Sequence, residues 1–236
     1  MEYPESLYEV INYNNTSILL PKINKKLYST VLIWLTGMEE LSLDYIPMFN
    51  YNENILPHPE KNKIIIINGE KRKITAYKND ENGEECNSWF DVYDFDNNIN
   101  SINYNDLKKS GDLIKELIEK ESKILGGYNH IYLGGFSQGA CLSLYIGLEY
   151  EKLLGGIIAC SGVLFPKVKI NKNNKNLRIF LSHGDLDDQI TKEINEISLK
   201  PINNFPNLEV HYYSNMGHFF SQEVLVDLSK FFNKYM

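Results

Sequence analysis

Cysteine is scarce in this sequence, and the few present do not pair. Cys86, Cys141 and Cys160 are an odd set at wide spacing with no C-x-x-C among them. That argues against a disulfide framework or a zinc site and fits a reducing compartment. A basic excess is missing as well. The net charge is −7, so neither a nucleic-acid partner nor attachment to anionic membrane through a basic surface is expected. No apolar run approaches the length of a membrane span. Met1-Glu2-Tyr3-Pro4-Glu5 offers neither the basic nor the apolar region of a secretory signal. Glycine does not follow Met1, and no prenylation box closes the chain. The expectation is a soluble cytoplasmic protein, with its oligomeric state left open. Internal repeats and a compositional break are also absent, and 236 residues suit one full core. A single domain over residues 1–236 is expected, with residues 1–29 as an N-terminal hairpin packed on it. Asparagine-rich runs such as Asn97-Asn98 and 172–176 read as solvated loops.

What is present is an alternation of buried strands and helices. Leu7–Tyr13 and Ser17–Leu20, joined at Asn14-Asn15, read as a hairpin, and Pro21 to Lys26 as a polar connection. Thr30–Leu35, Lys63–Ile67, Ile157–Cys160 and Leu177–Ser182 are short runs with the pattern of strands covered on both faces. Leu208–Tyr213 reads as a last strand. Helices are expected from Asn105 or Asp106, as cap, to about Ser122, then directly after Ser137, around Thr191–Leu199, and from Gln222 to Lys234. The one after Ser137 reads as amphipathic. The charged stretch from Glu70 to Asn87 is expected to be a surface excursion that closes on Ser88-Trp89-Phe90-Asp91. The fold class is therefore α/β, a mostly parallel central sheet with helices on both faces and sites at the carboxyl ends of strands. Nothing between Ser137 and Asp187 is long enough for a large helical lid.

The organising motif is Gly135-Phe136-Ser137-Gln138-Gly139, which ends an apolar run and opens a helix. A G-x-S-x-G element in that context is a sharp strand-to-helix turn that presents the serine hydroxyl. A nucleophilic serine needs a base, and the base needs a carboxylate, in the chain order Ser, Asp or Glu, His. His218 lies in the loop after the last strand and before the final helix, the position for the base. Three carboxylates, Asp185, Asp187 and Asp188, follow the strand that ends at Ser182 and leave the acid open. An oxyanion hole is expected from the N–H of Gln138 and a second N–H in the loop Thr36-Gly37-Met38, with Met38 as the natural donor. Trp89 and Phe90 either anchor their loop or line a ligand pocket. Met38 and Met216 either line an adaptable channel or fill gaps.

Gly134–Gly139, Ser88–Asp91, His183-Gly184-Asp185-Leu186-Asp187 and Gly217-His218 together resemble the acyl-protein thioesterase and phospholipase/carboxylesterase family of α/β-hydrolases. The resemblance runs from about Thr30 to Phe232. It implies that Asp187 is the triad acid, that the tryptophan loop borders a substrate channel, and that no metal or organic cofactor is needed. It further implies hydrolysis of long-chain acyl thioesters or esters, with S-acylated proteins as preferred substrates and transient contact with a membrane surface. A general carboxylesterase or lysophospholipase is the alternative within the same chemistry. A non-catalytic acyl-binding or interaction module is the alternative outside it. The chain departs from the family mildly at Asp187-Asp188, where the family has Asp-Pro, and more strongly in one loop. Where the family usually reads His-Gly-Leu-Gly-Asp-Thr-Gly, it has Thr36-Gly37-Met38-Glu39-Glu40-Leu41-Ser42, which lacks the histidine and the two later glycines.

Overall fold

The computed structural model describes residues 6–22, 27–50, 55–77, 85–96 and 99–236. Asn97-Asn98, the end of the connection after Pro21, and the middle of the 70–87 excursion lie outside the described residues. The hairpin comes first, as β1 (Tyr8–Tyr13) and β2 (Thr16–Pro21), turning through Asn14 at φ 50°. Then follow β3 (Thr30–Leu35), the short helix α1 (Ile46–Asn50) and β4 (Asn62–Ile67). β5 (Glu70–Arg72) and β6 (Cys86–Ser88) pair as a separate ribbon, ahead of α2 (Tyr104–Leu125). The rest alternates: β7 (Ile131–Phe136), α3 (Gln138–Glu149), β8 (Gly156–Cys160), β9 (Ile179–Gly184), α4 (Lys192–Leu199), β10 (Leu208–Tyr213) and α5 (Gln222–Tyr235).

One sheet holds eight strands in the order β1-β2-β4-β3-β7-β8-β9-β10. From β4 to β10 the neighbours run parallel, and the hairpin adds antiparallel along β4. Because successive strand residues point to opposite faces, β3 feeds two cores. Val31, Ile33 and Leu35 join Ile114 and Ile118 of α2, Leu142 of α3 and Leu199 of α4. Leu32 and Trp34 join Phe49 of α1 and Leu228 and Phe232 of α5. The strand order reverses between β3 and β7, since β3 leads outward to β4 on one side and β7 leads to β8 on the other. Crevices at the carboxyl ends of such a switch point are where α/β sheets bind ligands.

Two expectations need correction. The helix after Ser137 is not amphipathic: every residue of α3 from Gln138 to Leu148 is buried. α3 packs against the sheet on one side and α2 on another, which leaves it no solvent face. The cap of α2 is Asn103, two or three residues earlier than expected. Its side chain accepts hydrogen bonds from the N–H groups of Asn105 and Asp106, and Gly126 closes the helix at φ 74°.

Candidate active site

The turn between β7 and α3 is built by close backbone contact. A β-carbon on Gly135 would lie 2.4 Å from the Leu35 carbonyl oxygen, and one on Gly139 only 2.1 Å from it. With both positions free of side chains, α3 seats directly against the end of β3. Ser137 between them is held at φ 50°, ψ −118°, a sparsely populated conformation for a residue with a side chain. Its N–H donates to the Cys160 carbonyl at 2.8 Å, extending the β7–β8 ladder, and its own carbonyl accepts from Cys141 in the first turn of α3. Strand on one side and helix on the other therefore fix the serine.

The three candidate acids have separate fates. Asp188 is exposed. Asp185 is exposed too and accepts the Asn215 N–H at 2.7 Å, which ties the loop after β9 to the loop after β10. Asp187 is buried, and its two oxygens divide the work. Oδ1 accepts the N–H groups of Gln189 and Ile190 at 3.0 and 2.9 Å, and Oδ2 lies 2.7 Å from Nδ1 of His218. Burial alone would raise this carboxyl, but the hydrogen bonds from His218 and Ile190 outweigh it and hold it below the usual range. An ionised carboxylate only accepts, so Nδ1 of His218 carries a proton, the tautomer whose neutral ring presents a lone pair at Nε2. The His218 ring packs on Phe136, the residue before Ser137, with centroids 4.9 Å apart. The sheet order thus brings Asp187 and His218 together from the ends of β9 and β10, with the imidazole against the residue that precedes Ser137 at the end of β7.

A second histidine supports the acid loop. His183, on β9, is buried, and its Nε2 lies 2.7 Å from the Ile190 carbonyl. Burial holds its pKa below the ordinary value against the opposing pull of that carbonyl and of Asp187. Nδ1 of His183 is buried without a hydrogen-bond partner among the described residues.

The loop after β3 keeps one donor in reserve. The Gly37 N–H donates to the Glu40 carboxylate at 2.5 Å, and the Glu39 N–H donates to the Asn87 carbonyl at 2.8 Å. Between them, the Met38 N–H has no partner among the described residues. Gln138, as the first residue of α3, has an N–H with no intrahelical partner either. Glu39 stands where the family has a glycine, yet its φ is 68°, the left-handed conformation that glycine takes most readily.

Met38, Ser137 and Gln138 border a cavity whose other walls include Phe90, Val92, Phe95, Val163 and Phe165. The side chain of Gln138 fastens one of those walls. Its Oε1 accepts the Trp89 N–H at 2.6 Å and its Nε2 donates to the Phe90 carbonyl at 2.9 Å. This clamp was invisible in the sequence, which offered Gln138 only as a backbone donor. Trp89 departs from its expected place on the channel. The indole is buried, lies outside this cavity, and donates from Nε1 to the Thr36 carbonyl at 2.9 Å, so it anchors the loop that carries Met38. Met216 is likewise absent from the cavity; it is buried among the α5-side core, and its carbonyl accepts the Leu186 N–H. Cys141 does reach the cavity, but burial pushes its thiol up to about 12, which keeps it protonated and unreactive.

Residues 48–236 match the phospholipase/carboxylesterase family. Acyl-protein thioesterase 1 of Debaryomyces hansenii is 29% identical over 203 residues, covering 79% of this chain and 82% of the relative. Acyl-protein thioesterase 1 of Mycosarcoma maydis is 33% identical over 168 residues, covering 62% of this chain and 68% of the relative. Among solved structures, acyl-protein thioesterase 2 of Zea mays superposes with a TM-score of 0.76 at 20% identity, over 94% of this chain and 99% of that one.

Proposed function

The chain belongs to the phospholipase/carboxylesterase family, and from that premise we propose that it hydrolyses acyl thioesters, releasing long acyl groups from S-acylated proteins. The family and its thioesterase relatives make the chain a serine hydrolase of thioester or ester bonds. The observation that carries the residue assignment is the 2.7 Å contact between His218 Nδ1 and Asp187 Oδ2, formed where the imidazole packs against the Phe136–Ser137 elbow.

In this reading Ser137 Oγ attacks the acyl carbonyl while Nε2 of His218 takes its proton. Asp187 keeps the ring in the required tautomer and stabilises the imidazolium. The N–H groups of Met38 and Gln138 receive the developing oxyanion. When the tetrahedral intermediate collapses, the C–S bond breaks and the imidazolium returns the proton to the leaving thiol. Water then attacks the acyl-enzyme with His218 again as base, freeing the carboxylic acid and restoring the serine. The apolar cavity beside Ser137, walled by Phe90, Val92, Phe95 and Phe165, suits an acyl chain. The same chemistry cleaves oxygen esters, so the choice of substrate rests on the relatives and on this cavity.

Two measurements test the reading. A fluorophosphonate probe should label the folded protein at Ser137 and leave Ser137→Ala unlabelled. Palmitoylated peptides should then be hydrolysed with higher kcat/KM than short-chain esters. Absence of labelling would sink the triad assignment, and a marked preference for acetyl or butyryl esters would sink depalmitoylation.

A further inference from the structure

The loop that presents Met38 has lost the glycines that usually shape it, yet it holds a specific form. Glu40 is the side chain built into that form. One carboxylate oxygen, Oε2, accepts both the Gly37 N–H and the Tyr45 hydroxyl, each at 2.5 Å. The carboxylate lies flat over Gly37: a β-carbon there would sit 2.7 Å from Oε2 and 3.0 Å from Cδ. Tyr45 is itself pinned, being buried with its ring 5.9 Å from Trp34 and 6.2 Å from Phe220. Burial and the adjacent carboxylate raise the Tyr45 pKa, so its hydroxyl remains a donor. No lysine or arginine forms a salt bridge to Glu40 among the described residues. Burial of this carboxylate is costly, and its hydrogen bonds to Tyr45 and Gly37 offset part of that cost. Those bonds run to one aromatic anchor and to one peptide of this loop.

We propose that Glu40 is a positioning residue for the oxyanion hole, holding the Gly37 peptide so that the Met38 N–H faces the oxyanion formed at Ser137. Glu40 fixes the N–H before Met38 and the Asn87 carbonyl fixes the one after it. The Met38 donor is oriented between two fastened neighbours. Glu40 and His218 also border one cleft, with Phe136 on its wall. The carboxylate therefore shares a cleft with the imidazole. Loss of a direct oxyanion donor costs about 10²–10³ in rate, and a donor left in place but loosened costs less, about 10–100-fold.

The proposal rests on Ser137 being the nucleophile, so the experiment begins by establishing fluorophosphonate labelling at Ser137 in the wild-type protein. Failure there removes the assignment of the triad, before Glu40 is at issue. With labelling in hand, wild type, Glu40→Ala and Glu40→Gln are compared on an octanoyl p-nitrophenyl ester and with an octyl trifluoromethyl ketone, whose adduct carries the oxyanion. Glu40→Ala should lower kcat about 10–100-fold with KM within about threefold, and should weaken the ketone in proportion to kcat. Glu40→Gln, whose amide oxygen can accept the same two hydrogen bonds, should recover most of both. A folded Glu40→Ala protein with kcat within about twofold of wild type would overturn the proposal, as would a fall in kcat with ketone affinity unchanged. If Glu40→Ala does not fold, Tyr45→Phe is read the same way. That variant keeps the carboxylate and removes its anchor. A parallel loss of about three- to tenfold in kcat and ketone affinity supports the proposal, and unchanged values overturn it.

Discussion

Asp187 binds its own loop with one oxygen and His218 with the other, so the two functions can be separated. In Asp187→Asn, the amide oxygen can still accept from the Gln189 and Ile190 N–H groups while the amide nitrogen faces Nδ1. The ring is then pressed into the wrong tautomer. The expected outcome is a fall in kcat of about 10⁴-fold with the fold retained, checked by ester hydrolysis beside circular dichroism. His183 sets a pH dependence of stability. Its folded pKa is depressed by burial below the unfolded value of about 6.5, so the folded protein binds fewer protons. The stability contributed by the neutral ring is complete above that pH and is lost as pH falls toward the folded pKa. Urea midpoints should drop between about pH 7.5 and pH 5.5, and His183→Gln should flatten that slope. An unchanged slope would assign the effect to other groups. At this scale chain order carried the expectations for Ser137 and His218 as nucleophile and base. It could not reveal the Gln138 side chain, whose partners Trp89 and Phe90 lie on a loop that only the folded sheet brings near, nor Glu40, whose partners Gly37 and Tyr45 are close in sequence but form no pattern that marks the contact.

Elements were legible in proportion to how much of their stability is apolar burial. β3, β7 and β8 are continuous buried runs and stand where the sequence put them. β5 and β6 carry Glu-Lys-Arg and Cys-Asn-Ser and are held by backbone pairing, which leaves no hydrophobic signature. α3 looked amphipathic because its alanine, glycine, serine and cysteine positions were not counted as core, whereas small residues are what allow a helix to be buried on all sides. Two substitutions separate elements that serve the site from those that only frame it. Gly139→Ala drives a methyl group into the Leu35 carbonyl. It should destabilise the protein by about 1–3 kcal/mol and abolish fluorophosphonate labelling, because the backbone shift that relieves the clash moves Ser137. Asn103→Ala removes the cap of α2 and should cost about 0.5–2 kcal/mol while leaving kcat unchanged. Thermal melts paired with labelling rates would distinguish the two patterns, and equal activity losses in both variants would refute it.

At the scale of the whole molecule, the N-terminal hairpin is more than a covering strand pair. β2 closes the edge of β4, burying Leu19, and the Ser17 and Ser42 hydroxyls meet at 2.9 Å. Asn68 then links both to the catalytic side, donating to the Asn15 carbonyl and accepting the Ser42 N–H just beyond Glu40. Removing residues 1–22 should expose the β4 edge and cause concentration-dependent aggregation. Any monomer recovered should lose thermal stability, as size-exclusion chromatography and melting curves would show. The overall architecture was readable from alternating buried runs; this coupling between hairpin and loop was not, because asparagine and serine carry no periodic signal. Gln138 ties the two halves of the site more tightly still. In the proposed mechanism its backbone N–H faces the reacting carbonyl, while its side chain grips the peptide of Phe90, a wall of the adjoining cavity. On that mechanism, chain-length preference and turnover should be poorly separable. Mutational or evolutionary routes that remodel the Phe90 wall pass through lowered activity unless a second change near residue 138 restores the grip.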